Sequence, residues 1–130
     1  MSEKFTVEII SPDKTVTKNE AEEVTIPCYE GDMGILKNHI SFITFLKPGV
    51  INIKDGSNEK IFFVEDGTVE FSNNNLLILS STVIDKEQLN RNFIDKSINE
   101  AEEKFNKEDI SDKEKYLLSF KIETLRNLNR

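Results

Sequence analysis

Leu76-Leu-Ile-Leu-Ser-Ser-Thr-Val-Ile-Asp85 is the stretch on which the reading of the fold turns. Upstream of it, apolar residues recur at every second position; downstream they recur every three or four. Phe5, Val7 and Ile9 alternate with Thr6 and Glu8, and Val24 and Ile26 flank Thr25. Val50–Lys54, Lys60–Val64, Thr68–Phe71 and Leu76–Leu79 continue the series. Short runs rich in β-branched and aromatic residues, with a period near two, predict strands. Ser11-Pro-Asp13, Pro48-Gly49, Asp55-Gly56, Asp66-Gly67 and Asn73-Asn-Asn75 separate them. Such pairs supply the positive or preset φ that tight turns require. Many short strands at this spacing predict an antiparallel β-sandwich or flattened barrel. Leu76–Leu79 is apolar at every position, which predicts a strand covered on both faces.

After Ile84 the period becomes helical. Asp85 precedes Gln88 by three residues, a capping-box spacing that predicts a helix start there. Leu89, Phe93, Ile94, Ile98, Ala101 and Phe105 then form an apolar stripe at spacings of three and four. Asn106–Ile110 interrupts it. Ser111 and Glu114 form a second capping box, followed by Leu117, Leu118, Ile122, Leu125 and Leu128. The expected architecture is therefore a β-sandwich over residues 1–84 and an antiparallel helical hairpin over 85–130. Helices this short hold poorly alone, so the hairpin must bury its apolar stripe against the sandwich, itself or a partner. Permanent docking and a hairpin that detaches and redocks both remain open on the residues alone.

Composition narrows the function classes. The 130 residues carry 17 basic and 24 acidic side chains, a formal charge of −7. That balance opposes a nucleic-acid face and simple adsorption to anionic lipid. Up to Thr82 there are 7 basic against 13 acidic residues; beyond it, 10 against 11, which suits solvated helices. No apolar run approaches the roughly 20 residues that span a bilayer, so no direct membrane insertion is expected. Neither a signal-peptide core nor a transit-peptide composition opens the chain. Work at a membrane would be peripheral, with other proteins holding the chain there.

Chemistry-bearing clusters are scarce. His39 is the only histidine and Cys28 the only cysteine, so triads, cysteine-based zinc sites and internal disulfides have no basis in spacing. Cys28, after Pro27 at the end of an apolar strand, is expected to be a small buried thiol. His39 is expected in a hydrogen-bonding or interface role. Glu20-Ala-Glu-Glu23 and Glu100-Ala-Glu-Glu103 suit solvated faces. Gly31-Asp-Met-Gly34 lacks the Lys-Ser/Thr of a phosphate loop and predicts a tight turn instead. No catalytic residue, metal or cofactor is assigned, and a non-catalytic protein is expected.

Val24-Thr-Ile-Pro-Cys-Tyr-Glu-Gly-Asp-Met-Gly-Ile-Leu-Lys-Asn-His-Ile-Ser-Phe-Ile-Thr-Phe-Leu-Lys-Pro-Gly-Val50 resembles the signature of F-type ATP synthase epsilon subunits, the counterparts of mitochondrial delta. The resemblance rests on Glu30, Gly31, Asp32, Gly34 and Ile35, then His39, then Leu46-Lys-Pro-Gly49 and Ile51. Phe5-Thr-Val-Glu-Ile-Ile-Ser-Pro12 and Phe63-Val-Glu-Asp-Gly-Thr-Val-Glu-Phe71 resemble the family's flanking strands. The resemblance implies a sandwich of about ten strands followed by a helical hairpin. It implies a non-catalytic central-stalk rotor subunit coupling proton translocation to ATP synthesis, peripheral on the cytoplasmic side of a bacterial inner membrane. An unrelated β-sandwich adaptor, binding a partner through its hairpin, is the alternative.

The same resemblance implies partners and contacts. Glu30, Gly31 and Asp32 are expected to face the c-ring, and His39, Ile40, Phe42 and Ile43 the gamma subunit. If the hairpin inhibits hydrolysis, Lys113, Lys115, Lys121 and Arg126 form a basic face toward the catalytic alpha and beta subunits; a solvated helix face explains them equally. Some family members bind ATP through an Ile/Leu-Asp-x-x-Arg motif in the hairpin. Leu89-Asn-Arg-Asn-Phe93 places Asn90 at the Asp and Phe93 at the Arg, so weak or no ATP binding is expected. Lys37, where the family often has Pro, and Cys28, where it often has Gly, are further departures.

Overall fold

Ten strands form one sheet that curls onto itself in the computed structural model, which describes residues 3–129. They are β1 (Phe5–Ser11), β2 (Lys14–Ala21), β3 (Glu23–Cys28), β4 (Gly31–Ile35), β5 (Phe42–Leu46), β6 (Gly49–Asp55), β7 (Asn58–Val64), β8 (Gly67–Ser72), β9 (Asn75–Leu79) and β10 (Ile84–Asp85). The order across the sheet is β10-β7-β6-β3-β5-β8-β9-β1-β2, with β4 on the side of β3. The curl happens at β3. Its first residues, Glu23–Thr25, pair with β6, whereas its last, Cys28, pairs with Leu46 of β5. The two halves thereby face each other across one core.

Alternation supplies that core. Val7 and Ile9, Val24 and Ile26, Ile51 and Ile53, Val69 and Phe71, and Leu76 and Ile78 all point inward. The ring of Phe5 meets Phe71 edge-on, with centroids 5.7 Å apart. Pairing is antiparallel with one exception: β1 runs parallel to β9, Thr6 opposite Asn75 through Ile10 opposite Leu79. The antiparallel sandwich expected from the sequence is what forms, and the one parallel pair arises because β1, antiparallel to β2 on one side, has β9 on its other side.

Four strands, β2, β4, β5 and β10, escaped the periodicity. β2, Lys14-Thr-Val-Thr-Lys-Asn-Glu-Ala21, is mostly polar because it ends the sheet order and has little to bury. β4 contains Gly31–Gly34, read above as a turn; the turn lies at Tyr29–Glu30, where Gly31 takes φ 123°. Asp32 therefore stands on a strand, opposite Pro27.

The hairpin consists of α1 (Arg91–Phe105) and α2 (Asp112–Leu128). Asp85 caps only a short 3-10 turn at Lys86–Gln88, accepting from the Glu87 N–H at 3.0 Å. The N-cap of α1 is Asn90, whose Oδ1 accepts from the Phe93 N–H at 2.8 Å. The first helix thus starts later than its capping-box spacing predicted, because β10 keeps Ile84 and Asp85 paired with Phe63 and Phe62. Ser111 caps α2 as expected, accepting from Glu114 N–H at 3.1 Å. Ile94, Ile98 and Leu125 bury against Phe63, together with Ile84, Leu89, Ile122 and Leu128. Phe62 points into the sandwich and Phe63 into this second cluster, so the Phe-Phe pair is covered on both faces.

Candidate docking surfaces

The apolar run Leu76–Leu79 behaves differently from Phe62-Phe63. Leu76 and Ile78 are buried, but Leu79 is 44% exposed, so the expectation that both faces of this strand are covered is corrected. Among the described residues no element packs across the outer side at Leu79. Register then defines what shares that outer face. Phe45 stands opposite Thr68, Thr68 opposite Leu79, and Leu79 opposite Ile10. In the next row, Ile43 stands opposite Glu70, Glu70 opposite Leu77, and Leu77 opposite Glu8. Ile43 is 73% and Phe45 60% exposed. A shallow groove of about 710 Å³ runs over Ile10, Tyr29, Phe45 and Leu79, with Asp66 and Lys113 at its rim. A contiguous exposed apolar patch with a polar rim marks a protein interaction site.

Of the four residues expected to meet the gamma subunit, Ile40 projects from the loop before β5 and only Phe42 and Ile43 divide by strand parity. Ile40 (79% exposed) and Ile43 are outward. Phe42 points inward, stacking with Phe71 at 6.1 Å. His39 meets Phe42 edge-on at 5.3 Å, and its Nδ1 donates to the Ile40 carbonyl at 2.8 Å, fixing the proton on that nitrogen. His39 thus shapes the loop that presents Ile40. Asn38, at φ 69°, fastens the same loop: its N–H donates to Asn74 Oδ1 at 2.7 Å, and Asn74 Nδ2 donates back to Asn38 Oδ1 at 3.2 Å. Phe45, Leu79, Ile10 and Tyr29 were not singled out from the sequence. The signal available was that Ile43 and Phe45 share a parity opposite to the core residues Phe42 and Leu46.

Glu30, Gly31 and Asp32 lie at the tip of the β3–β4 ribbon, with both carboxylates exposed. Asp32 also lines a cleft with Lys47 and Phe120, where α2 crosses the sheet. The three residues form one acidic tip that adjoins the groove end at Tyr29, while the apolar rows run on from β5 through β8 and β9 to β1.

The four basic residues of α2 are not brought onto one face. At 100° per residue, Lys115 and Arg126 share one side of the helix and Lys113 and Lys121 lie toward the other. Arg126 donates to Glu102 of α1 at 2.8 Å and Lys115 stands 6.0 Å from the Phe105 centroid. Lys121 pairs with Glu65 of the sandwich at 2.8 Å, while Lys113 edges the apolar groove. Asn90, at the Asp position of the ATP motif, is occupied as the α1 cap.

Cys28 is buried at the β3–β5 junction, and desolvation there pushes its thiol above the ordinary range. Among the described residues no group of three or more His, Cys, Asp or Glu side chains is arranged to hold a metal ion. Among the described residues no helix is long and apolar enough to cross a membrane.

Comparison with known proteins agrees with the architecture. Residues 4–86 match the family ATP synthase, Delta/Epsilon chain, beta-sandwich domain. The ATP synthase epsilon chain of Pelagibacter ubique is 46% identical over 130 residues, 99% of this chain and all of that one. That of Desulfosudis oleivorans is 36% identical over 90 residues, 68% of each chain. Among solved structures, a chain of the Euglena gracilis mitochondrial ATP synthase, in an assembly with its c-ring, superposes with a TM-score of 0.75 at 17% identity, covering 96% of this chain and 79% of that one. A chain of the Tetrahymena thermophila central stalk and c-ring gives 0.66 at 15%, covering 99% and 98%. A β-sandwich with this register, a C-terminal helical hairpin and a full-length relative at 46% identity place the chain in the family of ATP synthase epsilon chains.

Proposed function

We propose that this chain is a non-catalytic rotor subunit of the central stalk, joining the shaft to the ion-driven ring so that proton translocation drives ATP synthesis. The observation that carries the reading is the open apolar face over Ile10, Ile43, Phe45 and Leu79, on a chain that belongs to the epsilon family. Family membership removes the unrelated-adaptor alternative. In this reading residues 1–84 are the docking domain. The apolar face receives the gamma subunit, with Ile40 and Ile43 at its edge and His39 and Phe42 holding the loop behind them. The acidic tip at Glu30–Asp32 rests against the polar loops of the c-ring. The chain works peripherally, on the cytoplasmic side of a bacterial inner membrane.

In this reading residues 85–130 are the hairpin region, with the helices α1 and α2 that dock on the sandwich. Lys121 and Arg126 are engaged within the chain, so a basic contact with the catalytic alpha and beta subunits requires those two ion pairs to open. A pull-down with purified gamma subunit tests the central contact. The wild-type chain is expected to retain gamma, and Phe45→Asp to lose it while keeping the native far-UV spectrum. Equal recovery by the two would overturn this assignment of the face.

A further inference from the structure

Lys47 stands out among the charged residues. It is only 8% exposed, and among the described residues no carboxylate lies within 4.0 Å of its ammonium. A desolvated, unpaired cation is costly unless something compensates it. Here the compensation is the face of Phe120 on α2, with Nζ 3.7 Å from the ring centroid, a cation–π contact at the wall of the cleft. Tyr116, one turn earlier, backs Phe120 edge-on at 4.8 Å. The lysine has little freedom to sit elsewhere. Its N–H donates to the Pro27 carbonyl at 3.1 Å, and Gly49 is packed so closely on Pro27 that the Lys47-Pro-Gly49 corner has one shape.

Asp32 stands opposite the same Pro27 across the β3–β4 ladder and lines the same cleft. Two opposite charges therefore flank one residue, and the one on Lys47 is directed at the hairpin. Most of the hairpin's apolar docking comes through α1 and Leu125, which is the only fully buried side chain of α2, and the Lys121–Glu65 pair is partly solvent-accessible. When α2 lifts, Phe120 and Glu123 leave the cleft with it, and Asp32 is the carboxylate that remains on the sheet side.

We propose that Lys47 is a two-position latch: its ammonium holds α2 down through Phe120, and on release of the hairpin it passes to Asp32. Docking of the hairpin thereby keeps Asp32 an unpaired anion, and undocking neutralises it. The consequence for ring contact rests on the role given to Asp32 above; the latch itself does not.

Both halves are tested on the isolated full-length chain, so failure of the latch is distinguishable from failure of the rotor assignment. Phe120→Leu keeps apolar volume and removes the π face. It is expected to raise amide exchange in α2 about tenfold, in the range of a desolvated cation–π contact, without changing exchange in β1 or β9. Phe120→Tyr is expected to behave as wild type. In a Lys47→Met background, Phe120→Leu is expected to add little. An undiminished effect of Phe120→Leu in that background would overturn the latch, since only packing would then be at work. For the second position, Leu125→Asp releases the hairpin, verified by free exchange of α2 amides. Carbodiimide coupling, read by mass spectrometry, is expected to join Lys47 to Asp32 in that variant and not in wild type. The same yield in both, or none in the variant, would overturn the transfer.

Discussion

A methyl group on Gly49 would sit 2.5 Å from the Cβ of Pro27 and 2.9 Å from its Cγ. Both residues are buried, so neither can move aside, and the contact sets the corner where β5 turns into β6. Gly49→Ala is therefore expected to destabilise the chain by about 1–3 kcal/mol, the usual cost of overpacking a filled site. Urea unfolding reads it as a lower midpoint at unchanged slope. An unchanged midpoint would mean the corner yields.

The outer sheet face separates stability from assembly. Phe45 and Leu79 touch solvent on one side, so Phe45→Ser and Leu79→Ser are expected to move the free chain's stability by no more than about 1 kcal/mol. In binding to the shaft subunit, each is expected to cost about 2 kcal/mol, roughly thirtyfold in Kd. Isothermal titration beside thermal melts checks both halves. Equal effects on folding and binding would make the face an internal structural element.

Helix starts can be ranked. Asn90→Ala and Ser111→Ala each remove a side-chain acceptor from a helix N-terminus, and each is expected to weaken the hairpin by about 1 kcal/mol. Asp85→Ala uncaps only the 3-10 turn and is expected to cost less. Amide exchange within α1 and α2 resolves the order.

Cys28 makes a prediction with a defined sign. Burial raises its thiol pKa in the folded chain, so the unfolded chain releases its proton first as pH rises. Stability from this residue is complete below the unfolded pKa of about 8.5 and declines as pH climbs from there through the folded value. Cys28→Ala is expected to abolish that alkaline decline, measured as urea midpoints between neutral and strongly alkaline pH. Native alkylation at pH 8 is expected to be slow, because the thiolate is scarce and enclosed.

Much of the architecture was legible because it is written in short-range alternation. The inward residues of β1, β3, β6, β8 and β9 follow period two, and Ser111 with Glu114 marks α2 without help from tertiary contacts. What escaped depends on neighbours the sequence does not name. Lys14–Ala21 pairs through its backbone at a sheet edge and needs no apolar alternation. Asp85 satisfies the spacing of a helix cap, yet its pairing with Phe62 holds it in the sheet. Lys60–Val64 and Leu76–Leu79 look equally apolar, but the hairpin covers Phe63 of the first and leaves Leu79 of the second exposed. Lys113, Lys115, Lys121 and Arg126 read as one basic group, whereas helical geometry gives them two sides and different partners.

The central claim is tested most directly by ATP-driven proton pumping in vesicles carrying a synthase depleted of its epsilon chain. Adding back this chain is expected to restore pumping, and the Ile43→Asp/Phe45→Asp double variant, folded by its far-UV spectrum and melt, is expected to leave it uncoupled. Restoration of pumping to the same extent by that double variant would contradict the account, because the open face of the sheet would then not be the surface that joins the chain to the rotor.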